Sequence, residues 1–173
     1  MSLAETQAQW ARLFTQRAAR SALAQGPNRD EALAGEIERF ALGLLAKRRM
    51  DVAKWLPLTA RALGPDFGPR LRETLAEPPP GARADALALV ARLRGGEPPW
   101  IGELAAYEGE FLRAWGPQGR FVVRAYRWPV HLIADRLTAG EAVGDAAPKR
   151  TLALWARRPG GRLRHRTWTL ART

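Results

Sequence analysis
Trp115-Gly116-Pro117-Gln118-Gly119-Arg120-Phe121-Val122-Val123-Arg124 divides the chain. Before it, apolar residues recur at helical spacing. After it, they gather in short β-branched and aromatic runs bounded by glycine and proline, the signature of strands. Working outward, Tyr126, Trp128 and Val130 continue the strand pattern across Pro129, and Ala139 to Pro148 reads as a turn-like connector. Thr151–Ala156 and Arg162–Leu170, joined through Arg158-Pro159-Gly160-Gly161, read as a β-hairpin. An isolated hairpin is marginal in water, so this one needs the 120–130 strand, the helices or a partner's strand against it.

Upstream, one helix is expected from Ser2 to Ala24, ended by Gly26-Pro27. Asn28 with Glu31 fits a cap for a second helix, whose stripe is Leu33, Ile37, Phe40 and Leu44. Lys47-Arg48-Arg49 suits that helix's C-terminal end, where cations favour the dipole. A third helix reaches Leu63, with Pro57 either opening or kinking it. Trp55, Leu63 and Phe67 are expected to be buried together. Asp66–Ala76 forms a short helix, Pro78-Pro79-Pro80-Gly81 a rigid connector, and further helices hold Leu87, Val90 and Leu93 and then Trp100 to Trp115. The expected fold class is α+β. A helical bundle domain (1–116) precedes a small, basic, antiparallel β-rich subdomain with a C-terminal hairpin (117–173).

Charge obeys the same division. The net charge is +11, of which residues 1–115 carry +2 and residues 116–173 carry +9. Such a field attracts anionic partners. Arginine abundance beside Ala, Gly and Pro is also what GC-rich coding produces, so the placement of the arginines carries more than their number. The chain of 173 residues has no cysteine, which excludes disulfides, thiolate metal sites and a cysteine nucleophile. With no apolar run of about 18 residues and no secretory pattern in MSLAETQAQW, a cytoplasmic, membrane-free protein is expected.

Nothing in the residues points to catalysis. His131 and His165 lie in no metal-ligand spacing, and His165 reads as an exposed strand residue among arginines. Glu103, Glu108 and Glu110 read as the solvated face of a helix. Gly95-Gly96 comes after a helix rather than a strand, so it is no phosphate loop. A non-enzyme is therefore expected, without metal or cofactor. Of seven tryptophans, Trp10, Trp55, Trp100 and Trp115 fall on helical apolar stripes and read as core. Trp128, Trp155 and Trp168 are interleaved with arginines, which suits base stacking or peptide recognition. The candidate binding residues are Arg124, Tyr126, Trp155, Arg157, Arg164, Arg166 and Trp168, though strand alternation prevents all of them from sharing one face.

Read in order, Trp55-Leu56-Pro57, Leu63-Gly64, Phe67, Pro78-Pro79, Asp85, Leu93, Pro99-Trp100-Ile101, Glu103-Leu104-Ala105 and Glu108 resemble the bacterial family labelled as a DNA-binding domain. Phe121-Val122-Val123-Arg124, Trp128-Pro129-Val130 and Leu152-Ala153-Leu154-Trp155 are similar to the stretch on the C-terminal side of that domain. The resemblance spans about Phe40 to Leu170. It implies a companion subunit of a multinuclear non-haem iron oxidative enzyme that modifies ribosomally made peptides. Such a companion binds an acidic precursor (leader) peptide and docks it on the enzyme, where the iron chemistry stays. Family members commonly continue into further helices after the hairpin, whereas this sequence stops at Thr173. The alternative reading is a nucleic-acid-binding regulatory protein that uses the basic C-terminal half. No candidate recognition helix collects the basic residues, which concentrate on the strands.

Overall fold
A computed structural model describes residues 2–25, 31–76, 79–115, 120–144 and 146–170. The breaks expected at Gly26-Pro27 and Gly116-Pro117, the Asn28 cap and Pro78 lie outside the described residues. The fold is α+β: a helical assembly followed by a three-stranded antiparallel sheet. No helix among the described residues is long and apolar enough to cross a membrane.

The first expected helix is two. Ser2 caps α1 (Leu3–Thr15) through a reciprocal box, its hydroxyl accepting from Glu5 N–H while the Glu5 carboxylate accepts from Ser2 N–H. Gln16 is extended, and α2 (Arg17–Gln25) starts afresh. The break lets both pieces fold onto α3 (Glu31–Trp55). Phe14 meets Phe40 with ring centroids 4.6 Å apart, and Arg20 reaches Glu38 at 2.9 Å. Helix α3 runs straight through Lys47-Arg48-Arg49 rather than ending there. Arg48 is spent mid-helix on both oxygens of Asp85, a fully buried carboxylate on α6 (Ala82–Arg92). Of the expected stripe, Ile37 is buried but Phe40 is exposed; Ala41 and Val52 complete the buried side.

Pro57 opens α4 (Pro57–Leu63) as its first residue, where a missing N–H costs nothing. Leu56, not Trp55, fills the core at this corner; Trp55 is 39% exposed, while Phe67 at the start of α5 (Phe67–Arg72) is buried as expected. The first core joins Val52, Leu56, Phe67 and Leu71 to Leu89, Val90, Ala105 and Leu112.

Helix α7 (Trp100–Ala114) is the axis of the molecule, with eleven of its fifteen residues buried. Two glycines let α6 approach it closely. A Cβ on Gly102 would lie 2.5 Å from the Leu93 carbonyl, and one on Gly109 would press on Val90 at 3.2 Å. Its glutamates are not a solvated face. Glu108 accepts Leu58 N–H at 2.8 Å, Thr59 N–H at 2.7 Å and the Thr59 hydroxyl at 2.6 Å. No side chain of α4's own segment caps its N-terminus, so a carboxylate from α7 takes the orphan donors there. Burial holds the Glu108 carboxyl above its ordinary pKa, opposed by the Thr59 hydroxyl and the two amides. Glu103 accepts Arg127 N–H and Trp128 N–H at 3.1 and 2.9 Å.

That grip turns the chain from β1 (Arg120–Tyr126) into α8 (Val130–Thr138), which replaces the expected strand across Pro129. Val130, Ile133, Ala134 and Leu137 bury one helical side at the helical spacing i, i+3, i+4, i+7, whereas the strand expectation rests on the alternation of Tyr126, Trp128 and Val130. Strand β2 (Thr151–Arg157) lies between β1 and β3 (Arg164–Thr169), with Val122 opposite Trp155 and Trp155 opposite His165. The second core joins Trp100, Ile101, Leu104 and Tyr107 of α7 to Tyr126, Val130, Ile133 and Trp155. His165 is not an exposed strand residue. It packs among Tyr107, Phe111 and Trp155 at centroid distances of 4.8 to 5.3 Å. Its Nε2 is buried with no hydrogen-bond partner among the described residues.

Two outcomes test this arrangement. Glu108→Ala orphans three donors at the start of α4. Unpaired buried groups cost about 1–3 kcal/mol each, partly relieved by relaxation, so a total near 3 kcal/mol and a melting temperature lower by roughly 6–12 °C are expected. An unchanged melting temperature would refute the cap. For His165, burial among rings, with the His131 charge a lesser contribution, pushes the pKa below its ordinary 6.5. The unfolded chain then takes up a proton at a higher pH than the folded one. Stability should hold above pH 6.5 and fall as the pH drops below it. His165→Gln should flatten that acid limb in denaturant titrations at stepped pH; an unaltered limb would move its origin elsewhere.

Candidate functional site
The sheet has one face on α7 and one face open. Alternation and register decide which residues go where. Arg120, Val122, Arg124 and Tyr126 of β1 point inward, as do Ala153, Trp155 and His165. The outward set forms three rows across the strands: Phe121 beside Ala156 beside Arg164, Val123 beside Leu154 beside Arg166, and Ala125 beside Leu152 beside Trp168. Phe121 is 73% exposed, Val123 50% and Trp168 46%. The open face is thus an apolar strip bordered by two arginines and a tryptophan.

The seven sequence-derived candidates divide three ways. Tyr126 and Trp155 are core residues, Trp155 being fully buried. Burial raises the phenol pKa of Tyr126 well above its ordinary value and that of neighbouring Tyr107 to about 12, so both stay neutral. Arg124 and Arg157 are cations already engaged by the fold. Glu110 on α7 is fully buried and receives Arg113 at 3.0 Å, Arg120 at 3.1 Å and Arg124 at 2.6 Å. A carboxylate buried at this depth requires such partners. Arg157 donates to the carbonyls of Gly161 and Ala114, both at 3.0 Å, and its guanidinium lies 6.0 Å from the Trp115 ring centroid.

Only Arg164, Arg166 and Trp168 come together on the open face. None of the three has a side-chain hydrogen bond or ion pair among the described residues. Phe121, Val123 and Leu154, which complete the face, were not among the candidates. The missing signal was the pairing register: once Ala156 is set opposite both Phe121 and Arg164, parity assigns the rest.

The backbone adds a second feature. Leu170 N–H donates to the Arg150 carbonyl at 2.9 Å, one pair beyond the β2–β3 ladder. Hydrogen-bonded pairs alternate in an antiparallel ladder. The main-chain groups of Arg164, Arg166 and Trp168 therefore face β2, and those of His165 and Thr167 face the free edge of β3. Among the described residues no third strand neighbours that edge, and β1 likewise pairs only with β2. Edge groups of this kind accept an added strand. No group of three or more His, Asp or Glu side chains able to hold a metal ion occurs among the described residues.

A family model matches residues 34–95, that of the SCO6045-like, C-terminal domain. The match covers most of α3 and runs through α6, about a third of the chain, and stops short of the sheet. No curated protein and no solved structure matches the chain. The segment from Ala34 to Gly95 is thus similar to a domain of that family, and the open sheet face lies outside the similarity.

Proposed function
We propose that this chain is a non-catalytic companion subunit that binds an acidic precursor peptide as an added strand on β3 and presents it to an iron-dependent peptide-modifying enzyme. The enzyme partner rests on the family resemblance between Phe40 and Leu170. The peptide rests on one observation: a free strand edge runs beside Arg164, Arg166 and Trp168 on an open apolar face.

A strand laid on that edge takes main-chain hydrogen bonds from His165 and Thr167. Every second side chain then falls on the open face, beside the outward residues of β3. Acidic residues two apart would meet Arg164 and Arg166, and an apolar residue two further on would meet Trp168. This requires no change in the helices. Arginine and tryptophan are also the residues that dominate binding energies at interfaces.

The test is a titration of a labelled peptide of alternating acidic and apolar residues, with labelled single-stranded DNA and RNA in parallel, at two salt concentrations. Peptide binding should weaken modestly with salt, because few charges are neutralised. Arg166→Ala and Trp168→Ala should each weaken it by about tenfold, equivalent to roughly 1.4 kcal/mol. The alternative reading predicts nucleic-acid binding with a log–log salt slope of about −0.7 per contacted phosphate. Steep nucleic-acid binding without peptide binding would reverse the ranking, and peptide binding indifferent to both substitutions would remove the peptide from β3.

A further inference from the structure
At the turn end of the hairpin lies a depression of about 700 Å³. Five arginines line it, Arg120, Arg157, Arg158, Arg162 and Arg164, together with Phe121 and with no acidic side chain among the described residues. Its size falls in the usual range for small-molecule sites, about 300–1,000 Å³. The turn that carries it is braced, since Gly161 N–H donates to the Arg158 carbonyl at 2.9 Å and Arg157 bonds the Gly161 carbonyl. Gly160 takes φ +66°, a conformation side chains other than glycine rarely adopt, which closes the turn tightly.

The cations are of two kinds. Arg120 bonds Glu110, a carboxylate it shares with Arg113 and Arg124, yet its Nε is buried without a hydrogen-bond partner among the described residues. Arg157 is held in place by two backbone carbonyls, which immobilise the guanidinium without cancelling its charge. Arg158, Arg162 and Arg164 have no side-chain hydrogen bond or ion pair among the described residues. Three guanidiniums around one depression that no described acidic side chain answers give it a positive potential that favours an anion there.

We infer that this depression is a binding site for a compact polyanion, specifically a diphosphate group. The choice of phosphate stems from charge density. A carboxylate cancels one guanidinium, and successive carboxylates on one side of an extended peptide stand about 7 Å apart. A single phosphate brings about −1.5 to −2 charges and three oxygens into one tetrahedron, matched to the arginine fork. Two linked phosphates satisfy several arginines within a depression of this size. Phe121, largely exposed at the same rim, offers a ring face to any base attached to them. The two readings share Arg164, but this one is separable because it depends on Arg158 and Arg162 in the turn before β3.

Isothermal titration of the full chain with inorganic pyrophosphate at physiological ionic strength tests it. Saturable binding of one pyrophosphate per chain is expected. The double substitution Arg158→Ala and Arg162→Ala should weaken it at least tenfold with an unchanged melting temperature. Arg72→Ala with Arg94→Ala, which removes the same charge from exposed positions elsewhere, should alter it less than twofold. Trp168→Ala should spare pyrophosphate, so failure of this site and failure of the peptide reading are separable. An ADP arm identifies the source: ADP binding more tightly than pyrophosphate, with the advantage lost in Phe121→Ala, identifies a nucleotide, whereas equal affinities identify the diphosphate alone. Absence of saturable pyrophosphate binding, equal loss in the control pair, or sulfate binding of the same affinity would overturn the inference.

Discussion
The carboxylates of α7 organise this protein. Glu108 holds the first turn of α4, Glu103 holds the turn into α8, and Glu110 gathers Arg113, Arg120 and Arg124. Each is a charge on a helix that is otherwise nearly all buried, and each is matched by donors from a different part of the chain. Burying a carboxylate is costly unless it is paired, so these residues disfavour any packing that leaves them unmatched. Apolar burial drives the helices and the sheet onto α7. The glutamates specify the angle and register at which they arrive.

The dependence extends into the region similar to the SCO6045-like C-terminal domain. Within residues 34–95, α4 has no cap of its own, and the carboxylate that completes it comes from residue 108. The Arg48–Asp85 pair ties α3 to α6 inside the matched segment, whereas Glu108 and Gly102 tie the same segment to α7, beyond its end. Helix α7 also contributes to both hydrophobic cores, Leu112 and Ala105 to one and Tyr107 and Leu104 to the other. The matched helices and the sheet are thus coupled through α7, and also through α4, whose Leu58, Ala62 and Leu63 pack on the second core and whose Arg61 bonds the Leu137 carbonyl of α8.

What was legible in the sequence and what was not separate along physical lines. The change of hydrophobic period near residue 116, the hairpin and a helix start or kink at Pro57 are local signals, readable because local chemistry determines them; the structure decides for a start at Pro57. The break at Gln16 carries no glycine or proline and arises from packing on α3. The strand expected across Pro129 follows the alternation of Tyr126, Trp128 and Val130, and the helical stripe that overrides it lies further on, at Ile133, Ala134 and Leu137. The glutamates of α7 were misread because amphipathic spacing does not reveal that a second layer covers the polar side as well. Trp155 and Trp168 illustrate the same limit on one hairpin. Both sit among arginines, yet the register sends one fully into the core and leaves the other nearly half exposed.

That register also sorts the arginines around the sheet into two populations. Arg113, Arg120 and Arg124 share the single charge of Glu110, and Arg157 is pinned to backbone carbonyls, so these guanidiniums are fixed in place while their charge is only partly cancelled. Arg158, Arg162, Arg164 and Arg166 lie on the turn and the outer face, where no described acidic group answers them. Internal pairing therefore does not account for the surplus charge, part of which lies at one end and one side of a three-stranded sheet. Exposed arginines also occur in the helical part, Arg39, Arg72 and Arg94 among them, but at the hairpin they line a braced turn and a strand edge beside an apolar strip. Geometry of that kind favours recognition of an anionic ligand over a merely solubilising coat.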